Sequence, residues 1–439
     1  MNKADIKLRL VIFNILSKNE IKNKRIDYLL SDQSFFLCLD NNEISFIHNI
    51  IYGIIRNKSK LDFFISNFYD GNYKKLLIKY KIILRIGLYQ ILYVDSIPNY
   101  ASVNSTVNLV KAIDKSKSNL INAIMRKFTL NNSFLHKPID DISIEYSHPK
   151  WLLDKWSNSW SKSEIIDILR WNLLKPKVWF RVNSNKTSIS EVLNILKEKK
   201  ITYIFHDTLR VFFYCSNTQG VLKSHLMTDG YLSVQDPGNG LVVRLLNPKK
   251  SQIILDGCSA PGGKGIYINE LTNGQANIDS YDNSITRLTK MKKRLELLNI
   301  KNIKCHIKDL EKDKVKYFEN GLIDVPCTGT GVISKRVDLK WRRKLSDINE
   351  MALMQKNILS NISEYLKVGG SIVYSTCSIE KEENWDIINN FLNSNNNFKL
   401  DRAEKYIPKR YVDKNGCLSI FPPKDNMDGI FAARLTKNA

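Results

Sequence analysis

Leu255-Asp256-Gly257-Cys258-Ser259-Ala260-Pro261-Gly262-Gly263-Lys264 is the stretch whose reading decides the fold. A short apolar run, 253–255, ends in an acidic residue and a Gly-rich turn, and apolar residues resume at Ile266 and Ile268. That pattern is a strand, a tight loop and the start of a helix. Glycine lets the backbone approach a ligand closely, and a helix N-terminus offers N–H groups without helical partners. In a doubly wound sheet such a loop lies at the C-terminal end of a strand, where ligands sit. An ordinary strand–helix turn would look the same at this one place. A P-loop is excluded, because it needs Gly five residues before the Gly-Lys pair and Ser or Thr after it. Cys258 and Gly265 occupy those positions.

Working outward, strands alternate with helices from residue 239 onward. The strand candidates are 253–255, 278–281, 303–306, 322–323 and 371–374, with helices such as 285–298 between them. The alternation predicts a parallel sheet with right-handed crossovers. Asp282 ends the second strand, Asp309 follows the third and Asp324 the fourth. With Asp256 they place four acids at four strand ends along one edge. Each alone reads as a helix cap or a solvated loop acid. Together they point to a nucleoside site, where a carboxylate after the second strand accepts from ribose hydroxyls.

Two further motifs share that edge. One is Asp324-Val325-Pro326-Cys327-Thr328-Gly329-Thr330-Gly331-Val332; the other is Tyr374-Ser375-Thr376-Cys377-Ser378-Ile379, with Glu380, Glu383 and Asn384 beyond it. A lone cysteine is usually a small buried hydrophobe. Two at equivalent strand ends, each in a loop of small polar residues, suit a nucleophile, because N–H dipoles and cations favour the thiolate.

At 439 residues the chain is too long for one ordinary core. Three parts are predicted: a helical domain over 1–132, a small α+β module over 140–238, and the α/β domain over 239–439. In the first, apolar stripes recur at helical spacing: Leu8, Val11, Ile12, Ile15 and Leu16; Ile47, Ile50, Ile51, Ile54 and Ile55; and Leu76, Leu77, Tyr80, Ile83, Leu84, Leu88, Ile91 and Leu92. Pro98 is read as the end of that third helix, and Val103, Val107, Val110 and Ile113 as a further one. The Lys and Arg on the polar faces either contact phosphate or solvate the surface. In the second part Trp151, Trp156 and Trp171 fall in a helical stretch, and 180–183 and 211–215 read as strands. The tryptophans are either structural or a base-stacking platform. Residues 230–238 (GYLSVQDPG) form the joint to the last domain.

Net charge is +23, from 67 Lys+Arg against 44 Asp+Glu, which favours a polyanionic partner, nucleic acid first, although part of the excess follows a general Lys, Asn and Ile bias. No apolar run approaches the roughly 18 residues of a membrane span, and the charged N-terminus lacks a secretory core. The seven cysteines show no Cys-x-x-Cys pair and no nearby His pair. That argues against bound metal and disulfides, and for a reducing cytoplasm.

CSAPGGK, DVPCTGTG and STCS, in this order, resemble the motifs of the S-adenosylmethionine-dependent RNA cytosine-C5 methyltransferases. Asp338-Leu339-Lys340-Trp341 and the ending with Pro422, Pro423, Asp428, Gly429 and Phe431 resemble the family too. The first domain resembles the RNA-binding NusB fold through FIHNIIYGIIR (46–56), RIGLYQIL (85–92) with Pro98 after it, and LINAIMR (120–126), which is the arrangement of the 16S ribosomal RNA branch. The resemblance implies an all-α NusB-like domain, a small α+β module and a Rossmann-like class I methyltransferase domain. It implies that Cys258, Ser259, Ala260, Pro261, Gly262, Gly263 and Lys264 cradle the methionine part of S-adenosyl-L-methionine. Asp282 would hold its ribose, Asp309 would lie near the adenine, and Asp324 would border cofactor and target base. Cys377 would attack C6 of the pyrimidine, which makes C5 nucleophilic, and Cys327 would assist breakdown of the adduct. Three departures stand out: Gly265 where the family usually has Thr, Glu319 where Asp often begins the fourth strand, and Asn104-Ser105-Thr106 where an acid is common.

The expected partner is 16S ribosomal RNA, with a monomeric protein, no metal and no membrane. Transfer RNA methylation on the same fold is a second reading, and a non-catalytic RNA-binding assembly factor a third. DNA cytosine methyltransferases resemble the chain in a Pro-Cys pair, but theirs is followed by Glu-Asn-Val, whereas Thr328-Gly329-Thr330 follows here.

Overall fold

Helix Asn41–Arg56 opens with a capping box, in which Asp40 accepts from the Asn42 and Glu43 amides and Glu43 accepts from the Asp40 amide. The box satisfies N–H groups that no helical carbonyl can reach. Ile47, Ile50, Ile51, Ile54 and Ile55 are all buried, and each fully buried isoleucine stabilises by about 1.5–3 kcal/mol. Helices Lys3–Ile21, Lys58–Phe68, Ile78–Tyr93, Asn99–Asp114 and Ser118–Leu130 share the same core. The computed structural model describes residues 3–438. These helices belong to a unit that runs to Lys175 and also takes in Ile333–Arg343; Pro176–Val332 and the chain from Lys344 form a second unit.

Two polar residues interrupt the apolar run of helix Ile78–Tyr93, and both are buried with partners. Arg85 pairs with Glu20 at 2.6 Å and with Asp62 at 2.5 and 2.8 Å, tying three helices together. Gln90 accepts from Arg9 at 2.5 Å. Removing one partner of a buried ion pair leaves a charge buried alone, which costs about 3–5 kcal/mol. Two expectations change here. Leu77 is 58% exposed, because the helix begins only at Ile78. Pro98 stands at the start of helix Asn99–Asp114, and the preceding helix has already stopped at Tyr93. A proline at a helix start loses no helical hydrogen bond, so that is where its ring is tolerated. Helices Lys150–Trp156 and Lys162–Leu173 also belong to this unit. Trp156 is only 1% exposed and belongs to the interior, so it offers no face for a base.

In the second unit β1 (Phe180–Val182), β2 (Tyr203–Phe205), β3 (Phe212–Cys215) and β4 (Leu232–Val234) form an antiparallel sheet in the order β2-β3-β1-β4. Val192 and Leu196 of helix Ile189–Glu198 pack against it. Arg181 of β1 is fully buried; it donates to Gln235 at 2.6 Å and to Glu270 at 2.7 Å and lies 4.2 Å over the Tyr267 ring. It joins this small sheet to helix Gly263–Leu271.

The large sheet contains β5 (Ile253–Gly257), β6 (Asn277–Asp282), β7 (Ile303–Ile307), β8 (Phe318–Asp324), β9 (Leu366–Thr376), β10 (Phe398–Asp401), β11 (Leu418–Ser419) and β12 (Phe431–Lys437). Its order is β10-β12-β9-β8-β5-β6-β7, with β11 on β12. Side chains alternate between two cores: Ile254, Ile278, Leu322 and Val373 face one, and Leu255, Tyr281, Ile323 and Tyr374 the other. Strands β5 to β9 are parallel, as predicted. The sheet as a whole is mixed, because β12 runs antiparallel between β9 and β10. It follows β11 through a loop and pairs with it antiparallel. The connection, residues 420–430 with the helical turn Pro422–Asp425, doubles the chain back, whereas a parallel neighbour needs a crossover. Among the described residues no helix is long and apolar enough to cross a membrane.

Candidate active site

The β5 loop folds back over the end of β6. Ser259 N donates to Tyr281 O at 3.0 Å, Ala260 N donates to Asp282 Oδ2 at 3.2 Å, and Gly262 N donates to Ser259 O at 2.8 Å. Cys258 holds a left-handed backbone with φ 54°, and Pro261 follows a cis bond. Helix Gly263–Leu271 then starts with its N-terminal amides at the loop. Burial, with Asp324 and Asp282 nearby, pushes the Cys258 thiol well above its ordinary range, so this cysteine stays protonated. Gly265 sits directly over Asp256: a Cβ there would lie 2.5 Å from Asp256 Oδ2. With the neighbours as they stand, glycine at this position leaves room for the carboxyl group, and the helix forms without the usual threonine.

The four strand-end acids differ sharply. Asp256 is fully buried; burial raises it to about 7, Lys264 opposes the rise, and Asp324 adds to it. Its Oδ1 has no hydrogen-bond partner. Asp282 is also buried; it accepts from Ala260 N, accepts from Ser284 N at 2.9 Å and pairs with Arg287 at 2.8 Å. Asp282 is therefore part of the loop's own structure as well as a candidate ligand, so replacing it disturbs the loop too. Asp309 closes its own turn, accepting from Glu311 N at 3.2 Å and pairing with Lys312 at 3.3 Å. Asp324 pairs with Lys264 at 2.7 Å and accepts from Ser375 Oγ at 2.9 Å. Asp324 pairs with Lys264, Asp256 lies within reach of the same cation, and Asp282 is close enough to raise Asp256 further; such a group of carboxyls suits a ligand that carries positive charge and hydroxyl donors.

Cys327 and Cys377 come together, with their sulfurs 3.2 Å apart. The Cys327 thiol is held well above its ordinary range by that contact first, then by burial and by the charges of Cys377 and Glu383. Cys327 is therefore held as the thiol, and either sulfur can donate at this contact. Glu383 lies beneath both loops. It accepts from Thr328 N at 2.8 Å, from the Thr328 hydroxyl, from Ser378 Oγ at 2.5 Å and from Gln355 Nε2 at 2.9 Å. Gln355 also donates to Pro326 O at 2.8 Å, and Tyr374 donates to Glu383 O at 2.6 Å. Gly331 packs on Gly429: its amide donates to Cys377 O at 3.0 Å, its carbonyl accepts from Gly429 N at 2.9 Å, and a Cβ on it would lie 2.3 Å from Gly429 O.

Sequence reasoning names Glu383 without giving it a role and passes over Gln355. A signal for Gln355 exists in retrospect. It stands on the apolar face of helix Leu345–Glu364, in line with buried Ile358, Leu359 and Ile362. Glu319 sits at the far end of the sheet, where it accepts from Ile253 N at 3.1 Å and pairs with Lys367 at 3.2 Å.

A sheet of this order, with its glycine loop after the central strand, is the fold of the class I methyltransferases, and the protein is a methyltransferase. The model of the family described as 16S rRNA methyltransferase RsmB/F matches residues 243–436, that of the NusB family residues 7–130, and that of the RsmF/B-like ferredoxin-like domain residues 148–210. A Bacillus subtilis protein named "Probable ribosomal RNA small subunit methyltransferase B" is 30% identical over 443 residues, covering 97% of this chain and 94% of that protein. The crystal structure of PH0851 superposes with a TM-score of 0.80 at 24% identity, over 100% of both chains. NSun6 from Pyrococcus horikoshii, solved with SFG, gives 0.60 at 21% identity, over 66% of this chain and 98% of that one. The chain belongs to the 16S rRNA methyltransferase RsmB/F family.

Proposed function

We propose that the protein methylates C5 of a cytosine in 16S ribosomal RNA, using S-adenosyl-L-methionine, with Cys377 as nucleophile. The observation that carries this reading is the 3.2 Å contact between Cys327 and Cys377 at neighbouring strand ends. The donor set fits the cofactor. Asp256 offers a buried oxygen without a partner, Asp282 and the β5 loop offer a carboxylate and backbone amides, and Asp324 with Lys264 borders the space next to the cysteines. When bound, S-adenosylmethionine supplies an electrophilic methyl group.

The chain's residues do the rest. A thiol proton on Cys327 directed at Cys377 favours the Cys377 thiolate. That thiolate adds to C6 of the pyrimidine, forming an S–C bond and moving electron density to C5. After C5 has taken the methyl group, a base removes the C5 proton, the S–C bond breaks, and the ring regains its double bond. Cys327 assists that release. Lys264, in the loop that cradles the cofactor, fixes Asp324, which borders cofactor and target cytosine, and Glu383 keeps the two cysteine loops in register. The base must be single-stranded or flipped out, because a thiol cannot reach C6 inside a helix. Residues 1–132 and 140–238 hold the RNA, and the protein works as a cytoplasmic monomer. The test is methyl transfer from labelled cofactor to 16S RNA, followed by mapping of modified cytosines in cells with and without the protein. Label on transfer RNA and none on 16S RNA would overturn the substrate; no transfer to any RNA would overturn the activity.

A further inference from the structure

The chain leaves the second unit at Val332 and returns to it at Lys344; Ile333–Arg343 between them docks in the helical unit. Its docking contacts recur at a spacing of three or four residues. Ser334 O accepts from Arg56 at 3.2 Å, Val337 enters the core, Lys340 Nζ donates to Arg56 O at 3.0 Å, and Trp341 Nε1 donates to Ile55 O at 2.8 Å. Asp338 Oδ2 accepts from Ile26 N at 3.1 Å. The positions between these turn elsewhere, and they close a cavity of about 300 Å³.

Five cations line that cavity: Arg25 from the helical side, and Lys335, Arg336, Arg342 and Arg343 from the arm. Two carboxylates accompany them, and both are engaged. Asp27 pairs with Arg25, and Asp338 accepts from Ile26 N and pairs with Arg342 at 3.7 Å. Among the lining residues cations outnumber carboxylates five to two. Four of its five cations are arginines, whose planar forks match phosphate oxygens in pairs. Half-buried Tyr52 contributes a hydroxyl that burial keeps protonated, a neutral donor beside the cations. The volume is at the small end of ligand-sized pockets, the scale of one nucleotide rather than of a peptide.

We propose that this cleft binds a phosphodiester of the RNA substrate, with Arg25 and Arg336 at its open edge gripping the backbone. The proposal rests on the reading that the substrate is RNA. It also accounts for the Asp338-Leu339-Lys340-Trp341 motif, whose buried members fix the arm so that the arm can present its arginines. The arm continues the stretch of chain that carries Cys327, so one segment would hold both a substrate phosphate and the thiol.

The test uses the full chain and a 16S RNA fragment in a filter-binding titration at several salt concentrations. Arg336→Glu should weaken RNA binding roughly tenfold and lower the log–log salt slope by about 0.7–0.9, the value of one phosphate contact. Arg336→Gln should act in the same direction with a smaller loss. Lys250→Glu, the same charge change on an exposed residue of the methyltransferase domain, should cost less than Arg336→Glu. Cofactor affinity and the thermal midpoint should not move in any of the three. Equal losses for Arg336→Glu and Lys250→Glu, or an unchanged slope, would overturn the cleft. So would inorganic phosphate displacing RNA from the wild type and the Arg336 variants equally well. A wild-type chain with no affinity for 16S RNA would instead overturn the functional reading beneath it.

Discussion

The loops after β8 and β9 each carry a cysteine; they bond to each other, Gly331 N to Cys377 O at 3.0 Å and Ile379 N to Thr330 Oγ1 at 3.1 Å, and they differ in what else holds them. The Cys377 loop is stitched by its own neighbours: Thr376 Oγ1 donates to Asn384 Oδ1 at 2.6 Å, Asn384 Nδ2 donates to Ser378 O at 2.9 Å, and Glu380 N donates to Ser378 Oγ at 3.1 Å. The Cys327 loop is held from outside. Gln355 takes Pro326 O, Glu383 takes Thr328, and Gly429 takes Gly331, before the chain leaves for the helical unit. The difference teaches that similar strand-end cysteines receive different roles from their supports. A locally fixed loop suits the atom that must be aimed at C6. A loop anchored at several distant points suits a thiol whose proton is set by its surroundings.

The sharpest way to break this contrast is to remove each sulfur. Cys377→Ala should abolish methyl transfer while leaving cofactor binding and folding intact; a variant that still methylates 16S RNA would end the assignment. Cys327→Ala should still permit attack and methyl transfer but leave the enzyme attached to RNA, seen as a slow-migrating species on a denaturing gel. The double variant should not form it. If Cys377→Ala formed the adduct and Cys327→Ala did not, the two roles would be exchanged.

Glu383 supports both loops, so its loss should blur the contrast rather than invert it. Glu383→Ala leaves buried donors on Thr328, Ser378 and Gln355 without their acceptor, at a cost of about 3 kcal/mol or more in unfolding free energy. Its kcat should fall while KM for RNA holds, and Glu383→Gln should show a smaller loss of both stability and kcat. A normally active Glu383→Ala would mean that the loops are positioned without it. Asp282→Asn should weaken S-adenosylmethionine binding by about 1–3 kcal/mol in calorimetry, the range for a lost charged hydrogen-bond partner. Calorimetry with unchanged affinity would leave Asp282 as a loop brace only.

The smallest expected effect is on stability: at Asp256 it appears as a pH slope. Its folded-state pKa of about 7 stands above the ordinary value of 3.8. Its stabilising contribution is therefore complete below the ordinary value, and it is lost as pH rises toward 7. Asp256→Asn removes that dependence, so its melting temperature relative to wild type should be higher at pH 8 than at pH 5. Equal differences at the two pH values would show that Asp256 titrates as an exposed carboxylate does.

The sequence by itself determined whatever is local or periodic. The isoleucine stripe of helix Asn41–Arg56, the parallel strands β5 to β9, the glycine loop and the contiguous STCS motif were all legible, because periodicity and turn chemistry act over a few residues. The Gly265 departure was visible too, but not its reason, which is the Asp256 carboxyl group packed against it. Tertiary structure alone decided the rest. It reversed β12, because strand direction depends on the path of the preceding chain and not on the apolar pattern of the strand. It made Arg85 and Gln90 buried tie points of the helical core rather than mere breaks in an apolar run. It also carried Ile333–Arg343 out of the α/β unit into the helical one, and set Glu383 beneath both cysteines. A buried polar group must find its partners wherever the fold brings them, and those partners can be hundreds of residues away in the chain, as Asp338 is from Ile26.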